Sequence, residues 1–303
     1  MNLIVTGGAG FIGSHLAKSL VNKGHNVCVI DNLRRGNIEN LKEINHKIDF
    51  QEIDILDYNT MKNVAKNSDG IFHQAALGSV PQSFKEPEEY RRVNAIGTEN
   101  VLKLAQEFAF KVVYASSSSV YGNQNKFPIK EDAEKNPLNP YGQSKLESEQ
   151  FAKKYADVGV KVIGLRYFNV FGIGQNPNYA GVIPIFIERL VEHKPPIIYG
   201  DGNQLRSFSF VDDVVEANIL AFESKIEHAF INIATNVMTS VKELADMMIR
   251  LSGLSIQPIH EKPREGDIEK SQADISLAKN LINWVPKTTL EEGLEKIFPK
   301  IES

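Results

Sequence analysis

Ser117, Tyr141 and Lys145 are the residues of this 303-residue chain that could move a proton. Tyr141 and Lys145 lie one helical turn apart, so a helix sets them on one face. A lysine ammonium beside a phenol favours the phenolate. Tyr141 could then act as a base well below the usual tyrosine value of about 10. Ser117 belongs to the run Ser116-Ser117-Ser118-Ser119-Val120-Tyr121-Gly122, and its hydroxyl could bridge a substrate hydroxyl to Tyr141. Alone, a Tyr-x-x-x-Lys pair is more often a surface pair on a helix. It gains meaning from a second motif, Gly7-Gly8-Ala9-Gly10-Phe11-Ile12-Gly13. Glycines at 7, 10 and 13, between an apolar run and a helical pattern, let backbone N–H groups approach a phosphate. The helix that follows adds partial positive charge. An acid–base set together with a dinucleotide seat implies hydride chemistry at a hydroxyl-bearing carbon.

Asp31 ends the second predicted strand. A carboxylate there can hold both ribose hydroxyls and repel a 2′-phosphate, so NAD is expected over NADP. Arg34 and Arg35 lie close by and pull the other way. Asp54-Ile55 is a candidate adenine contact.

These residues need a scaffold. Strands are predicted at Leu3–Val5, Val27–Ile30, Ile48–Gln51, Gly70–His73, Lys111–Ala115 and Lys161–Arg166. Helices are predicted at Phe11–Asn22, Tyr58–Lys66, Glu88–Phe108 and Pro140–Asp157. This alternation predicts an α/β fold, a doubly wound parallel sheet with helices on both faces. Such sheets bind ligands at the carboxyl ends of their strands. The loops Gly7–Gly13, Asp31–Arg35, Asp54–Asp57, Gln74–Ser79 and Ser116–Tyr121 all follow strands and should converge on one edge. After about Gly172 prolines and glycines punctuate the chain. A cofactor domain over 1–170 and a smaller α/β substrate domain over 171–303 are expected, with the chain crossing between them. Helices are predicted there at Thr239–Leu251 and Leu290–Phe298.

A net charge of −4 and a pI near 6.0 argue against a nucleic-acid binder. The single cysteine, Cys28, cannot form an intramolecular disulfide and reads as a buried strand residue. The histidines lack ligand spacing, so no metal is expected, and His73 reads as loop-shaping. Trp284 is expected to pack the C-terminal domain. No signal peptide or membrane span is expected, which points to the cytoplasm.

With His73-Gln74-Ala75-Ala76, Arg166-Tyr167-Phe168-Asn169-Val170-Phe171-Gly172, Arg206-Ser207-Phe208 and Arg264-Glu265-Gly266-Asp267 added, the chain resembles the extended short-chain dehydrogenase/reductases nearly end to end. Within them it is similar to the nucleotide-sugar 4-epimerases. The resemblance implies a Rossmann-type cofactor domain and tightly held NAD. It implies that Tyr141, assisted by Ser117, removes the sugar 4-hydroxyl proton. The C-4 hydride goes to the cofactor, and the rotated 4-keto sugar takes it back on its other face. Lys145 would hydrogen-bond the nicotinamide ribose. Cofactor contacts are implied for Gly7, Gly10, Phe11, Ile12, Asp31, Asn32, Arg34, Asp54, Ile55, Ala75, Tyr141, Lys145 and Tyr167. The UDP-sugar would meet Ser79, Ser117, Ser118, Tyr141, Asn169, Val182, Tyr199, Arg206, Arg264, Asp267 and Ser271. Arg206 and Arg264 would clamp the diphosphate, as bidentate, permanently charged groups can. The family commonly dimerises through two helices per copy, here Glu88–Phe108 and Pro140–Asp157.

Related 4,6-dehydratases carry an acid before Val-Tyr-Gly, where Ser118 and Ser119 stand here. That disfavours dehydration and decarboxylation. The segments at 74–83 and 266–274 resemble epimerases that prefer N-acetylated sugars, such as UDP-N-acetylglucosamine. Enzymes restricted to glucose and galactose hold a tyrosine where Ser271 falls, so a small Ser271 would leave room for an acetamido group. Uronic-acid epimerases share the serine-rich segment and remain a competing reading.

Overall fold

The computed structural model describes residues 1–176, 181–263 and 270–298. Its centre is a seven-stranded, all-parallel sheet. The strands are β1 (Asn2–Thr6), β2 (Asn26–Ile30), β3 (Ile48–Gln51), β4 (Gly70–His73), β5 (Lys111–Ser117), β6 (Val162–Tyr167) and, from much later in the chain, His228–Ile233. Four short strands intervene in sequence: β7 (Val170–Phe171), β8 (Ile197–Tyr199), β9 (Leu205–Arg206) and β10 (Ser209–Phe210). His228–Ile233 is therefore β11, and the order is β11-β6-β5-β4-β1-β2-β3. β4 and β6 are buried along their whole length. That is why they read as mostly apolar runs, broken only by buried His73 and Arg166, rather than as alternating ones.

Helices cover both faces. α1 (Phe11–Asn22), α8 (Val211–Glu223) and α10 (Ser276–Ile282) pack on one, around Leu16, Leu20, Val214, Ile219 and Ile282. α2 (Tyr58–Ala65), α5 (Gly97–Phe108) and α6 (Pro140–Ala156) pack on the other, around Met61, Val101, Leu104 and Tyr155. Burial of a Leu- or Val-sized side chain contributes about 1.5–3 kcal/mol, so the two layers hold the sheet rigid. The order reverses between β1 and β4. That reversal opens a crevice beyond their carboxyl ends, where Gly7–Gly13 and Gln74–Ser79 emerge.

α3 (Val80–Lys85) and α4 (Pro87–Tyr90) pack against α6 beside the crevice, and α7 (Val182–Val191), α9 (Val241–Ser252) and α11 (Leu290–Ile297) form a smaller layer. β12 (Thr239–Ser240), β13 (Ile259–Glu261) and β14 (Lys270–Ser271) complete it. β9 lies between β12 and β14, and β13 pairs with β8. A separate apolar cluster of Phe171, Phe186, Leu190, Phe208, Leu244, Met248 and Leu294 holds this layer. The capping box of Ser240 with Glu243 starts α9, and left-handed Gly253 (φ 71°) ends it.

Three observations differ from the expectations. The seventh strand was not foreseen, because His228 and Asn232 interrupt its apolar pattern. Yet Asn232 is wholly buried and bonded inside. The predicted helix Glu88–Phe108 is split by a π-helical turn, Arg91–Ile96. Trp284 packs under the large sheet with α8, its Nε1 donating to Asp213 O at 2.8 Å, and not in the smaller layer. β11, α8 and α10 show that chain beyond residue 171 also builds the large sheet and its cover.

Candidate active site

The glycine motif is a turn that only glycine tolerates. Gly7 has φ 67°, and a Cβ on it would lie 2.5 Å from Ala75 N. A Cβ on Gly13 would lie 2.1 Å from Gly7 O. The loop after β1 thus presses directly on the loop after β4 and on the first turn of α1. Gly10 is the N-cap of α1 and provides no side-chain cap, so the first N–H groups, from Phe11 and Ile12 on, are left for a ligand. Asp31, buried just past β2, accepts Ala9 N at 3.0 Å and Leu33 N at 2.8 Å. Burial pushes its pKa up, and the two N–H groups oppose that. Gly36 keeps the carboxylate approachable, since a Cβ there would sit 2.8 Å from both oxygens.

Asp54 is already engaged. It accepts Asn32 Nδ2 at 2.9 Å and Leu56 N at 2.9 Å, so it shapes the loop that carries Ile55. Ile55 is buried against Gly97, and its carbonyl accepts Asn100 Nδ2 at 3.1 Å. Tyr167 ends β6, and its hydroxyl donates to Asn218 Oδ1 at 2.9 Å. Arg34 does not point freely into the cleft but pairs with Glu89 of α4.

Ser117, Tyr141 and Lys145 lie together at the carboxyl end of β5 and the first turns of α6. Ser117 is the last residue of β5, and its Oγ accepts Ser119 N at 3.1 Å. Asn139 caps α6 through Gly142 N at 2.8 Å, with Pro140 opening the helix. A Cβ on Gly142 would meet Ser119 O at 2.6 Å, so the helix start lies directly on the serine turn. That close approach brings Tyr141, on the first turn of α6, to the end of β5 that carries Ser117. Lys145, buried one turn on, donates to Ala115 O at 2.8 Å.

The ammonium of Lys145, together with the cofactor's positive charge, was expected to draw Tyr141 toward the phenolate. Burial instead pushes the Tyr141 pKa up, Ser117 offsets this in part, and nearby Tyr90 adds to the rise. Burial also lowers Lys145 to about 8. In this chain by itself the phenol is the favoured form.

Residues that sequence reasoning missed hold the set in place. Glu149, one turn beyond Lys145, takes a bidentate bond from Arg166 (2.8 and 2.8 Å) and the hydroxyl of Ser116 at 2.6 Å. Arg166 also donates to the Tyr121 hydroxyl at 2.7 Å, which donates to Asn232 Oδ1 at 2.6 Å. All five side chains are buried. The spacing 141, 145, 149 on one helix face was the signal available for Glu149. In the π-helical turn, Asn94 N–H groups reach Leu77 O at 3.1 Å and Ser144 Oγ at 2.9 Å. Its backbone carbonyl accepts Ser148 Oγ at 3.0 Å and Thr98 Oγ1 at 2.5 Å. The wide turn thus ties α6 to the loop after β4. Tyr90, fully buried, stands edge-on to Tyr141 with ring centres 6.5 Å apart.

Among the residues expected to meet the sugar, Asn169 Nδ2 donates to Ser207 O at 3.0 Å, next to Arg206. Arg206 on β9 is the register partner of Ser271 on β14. Ser118 begins the 3₁₀ turn after Ser117, and Ser79 caps α3. Val182 opens α7 and Tyr199 closes β8, in the layer beyond Arg206. Arg264 and Asp267 lie outside the described residues. His73 is neutral and structural, its ring joining Thr6 Oγ1 at 2.6 Å to Thr98 Oγ1 at 3.0 Å. Burial raises the Cys28 thiol to about 12, which leaves it inert. Among the described residues no group of three or more metal-ligating side chains gathers. No described helix is long and apolar enough to cross a membrane.

A glycine-turn seat and a Ser/Tyr/Lys set at the switch point of a parallel sheet define the site of a short-chain dehydrogenase/reductase. The chain belongs to the NAD dependent epimerase/dehydratase family, which matches residues 3–234. NAD is the cofactor of that family, and Asp31 with its open front fits the ribose of NAD. A UDP-glucose 4-epimerase from Thermotoga maritima, solved with UDP-glucose, is 38% identical, covers 98% of this chain and 97% of its own, and has a TM-score of 0.94. A UDP-N-acetylglucosamine 4-epimerase from Methanobrevibacter ruminantium, solved with UDP-N-acetylmuramic acid, is 36% identical over 98% and 96%, with a TM-score of 0.94. A UDP-glucuronic acid 4-epimerase from Bacillus cereus, solved with UDP-glucuronic acid and NAD, is 32% identical over 98% and 98%, with a TM-score of 0.91.

Proposed function

We propose that this protein is an NAD-dependent UDP-hexose 4-epimerase. Its substrates in this reading are the pair UDP-N-acetylglucosamine and UDP-N-acetylgalactosamine, and also UDP-glucose and UDP-galactose. The observation that carries it is the close approach of α6 to the serine turn, Gly142 against Ser119 O, which sets Tyr141 and Lys145 at the carboxyl end of β5 where Ser117 stands. It is joined by serines, and no carboxylate, at 118 and 119.

Ser117 holds the sugar 4-hydroxyl against Tyr141, which takes its proton and later returns it. NAD, which the glycine turn and Asp31 would hold, would supply the hydride acceptor and donor at C-4 and, while oxidised, a positive charge. Such a charge opposes the burial that keeps Tyr141 protonated. Lys145 reaches the same space from below, fixed by Ala115 O. Arg206 binds diphosphate oxygens, and Arg264 does the same in this reading. Small Ser271, opposite Arg206, leaves the C-2 substituent room. α5 and α6 lie side by side and would meet a second copy in a homodimer, which sedimentation would register as twice the chain mass.

A second reading, UDP-glucuronate 4-epimerase, keeps the same mechanism and is favoured by the likeness to the Bacillus cereus enzyme. The deciding experiment incubates the purified protein with UDP-N-acetylglucosamine, without added cofactor, and separates the products. UDP-N-acetylgalactosamine at constant total sugar supports the N-acetyl reading. Conversion of UDP-glucuronate alone replaces it with the second.

A further inference from the structure

Arg34 stands three residues past Asp31, where a cation could receive a 2′-phosphate on the adenosine ribose. The turn that carries it is drawn tight around the carboxylate. Leu33 is left-handed (φ 54°) and donates its N–H to Asp31 Oδ1 at 2.8 Å. Arg34 N donates to Asn32 Oδ1 at 3.1 Å. The Arg34 side chain then leaves the turn and meets α4, where Nη1 donates to Glu89 Oε1 and Nη2 lies 4.0 Å from Glu86 Oε2. Glu89 also takes a two-pronged bond from Arg92, with Nε 2.8 Å from Oε2 and Nη2 3.1 Å from Oε1. Both arginines thus converge on one half-buried carboxylate. Asp31 and Asp54 lie on the other side of the same turn, Asp54 tied to it through Asn32.

We propose that Glu89 selects the cofactor. By holding the Arg34 guanidinium, it withholds from the ribose 2′ position the cation that a 2′-phosphate needs. Asp31 supplies repulsion against NADP, and Glu89 removes the attraction that would offset it. Discrimination is a difference of two affinities, and denying the wrong ligand its partner widens it as surely as improving the right one. Glu89 touches neither cofactor nor substrate in this account. It is a positioning residue that acts through Arg34. The inference rests on the dinucleotide seat and not on the identity of the sugar.

The test exchanges the bound cofactor of the intact protein against mixtures of NAD+ and NADP+. Free nucleotide is removed and the bound NADP+ to NAD+ ratio is read by chromatography. Glu89→Gln should raise that ratio about tenfold, the gain expected of one freed guanidinium on a phosphate. Adding Arg34→Met to Glu89→Gln should return the ratio to the wild-type value. An unchanged ratio in Glu89→Gln overturns the proposal. So does a raised ratio that survives Arg34→Met, because the responsible cation is then another. A parallel loss of both nucleotides also overturns it, since Glu89 would then only brace α4. None of these readouts depends on the sugar, so failure here leaves the proposed substrates untouched.

Discussion

The cofactor end and the sugar end of this cleft are built by different means. The cofactor end is backbone against backbone: Gly7 on Ala75, Gly13 on Gly7, Gly142 on Ser119, all closer than any Cβ permits. It hangs on strands of four to seven residues, buried on both faces. The proposed sugar end is side chains on β9 and β14, strands of two residues each. Backbone contacts are the same for any side chain, so the first end suits a constant cofactor. Side chains on short strands can be exchanged without moving the sheet, so the second end suits a variable sugar.

The sharpest way to break that contrast is to remove the group between the two ends. Tyr141→Phe should cut kcat by about 10²–10⁴, the range for losing a general acid–base, while the protein still retains NAD. Loss of the cofactor along with activity would show that Tyr141 belongs to the backbone-built end. Next is Gly13→Ala, which drives a methyl into Gly7 O. Strain of about 1–3 kcal/mol at one residue should weaken NAD binding on the order of tenfold or more, read as cofactor content after purification. Full cofactor content in this variant would mean that the seat is not as tight as its contacts.

At the sugar end, Ser271→Tyr should lower kcat/KM for UDP-N-acetylglucosamine by about 10- to 200-fold and leave UDP-glucose within a few fold. Equal losses for both sugars would remove Ser271 from specificity. The smallest effect concerns stability beneath the seat. His73 has its pKa pushed down to about 3 by burial, with Lys145 adding to the effect. The unfolded chain binds a proton below about 6.5 and the folded one does not, so stability falls as pH drops from there toward 3. Unfolding free energies from urea titrations at pH 7 and pH 5 should differ more for the wild type than for His73→Gln, by on the order of 1 kcal/mol. Equal pH slopes would mean that His73 is not buried neutral.

Much of this was legible in the chain because its causes are local. Glycine spacing before a helix, a carboxylate at a strand end and Tyr-x-x-x-Lys are each set within a few residues by periodicity and by turn sterics. The six strand and four helix predictions of the first half fall close to the observed elements for the same reason. What only the tertiary structure decided depends on partners brought from afar. Arg34 finds Glu89 across 55 residues, and Tyr121 finds Asn232 across 111. The π-helical turn exists beside buried hydroxyls on another helix, Ser148 donating to its Asn94 carbonyl and Ser144 accepting from the Asn94 side chain. β11 is a strand because a place beside β6 was open, whatever its own polar residues suggest. The rise in the Tyr141 pKa belongs here too. Sequence placed a lysine one turn away, but burial is a property of the whole packed fold, and it is the largest cause of the rise.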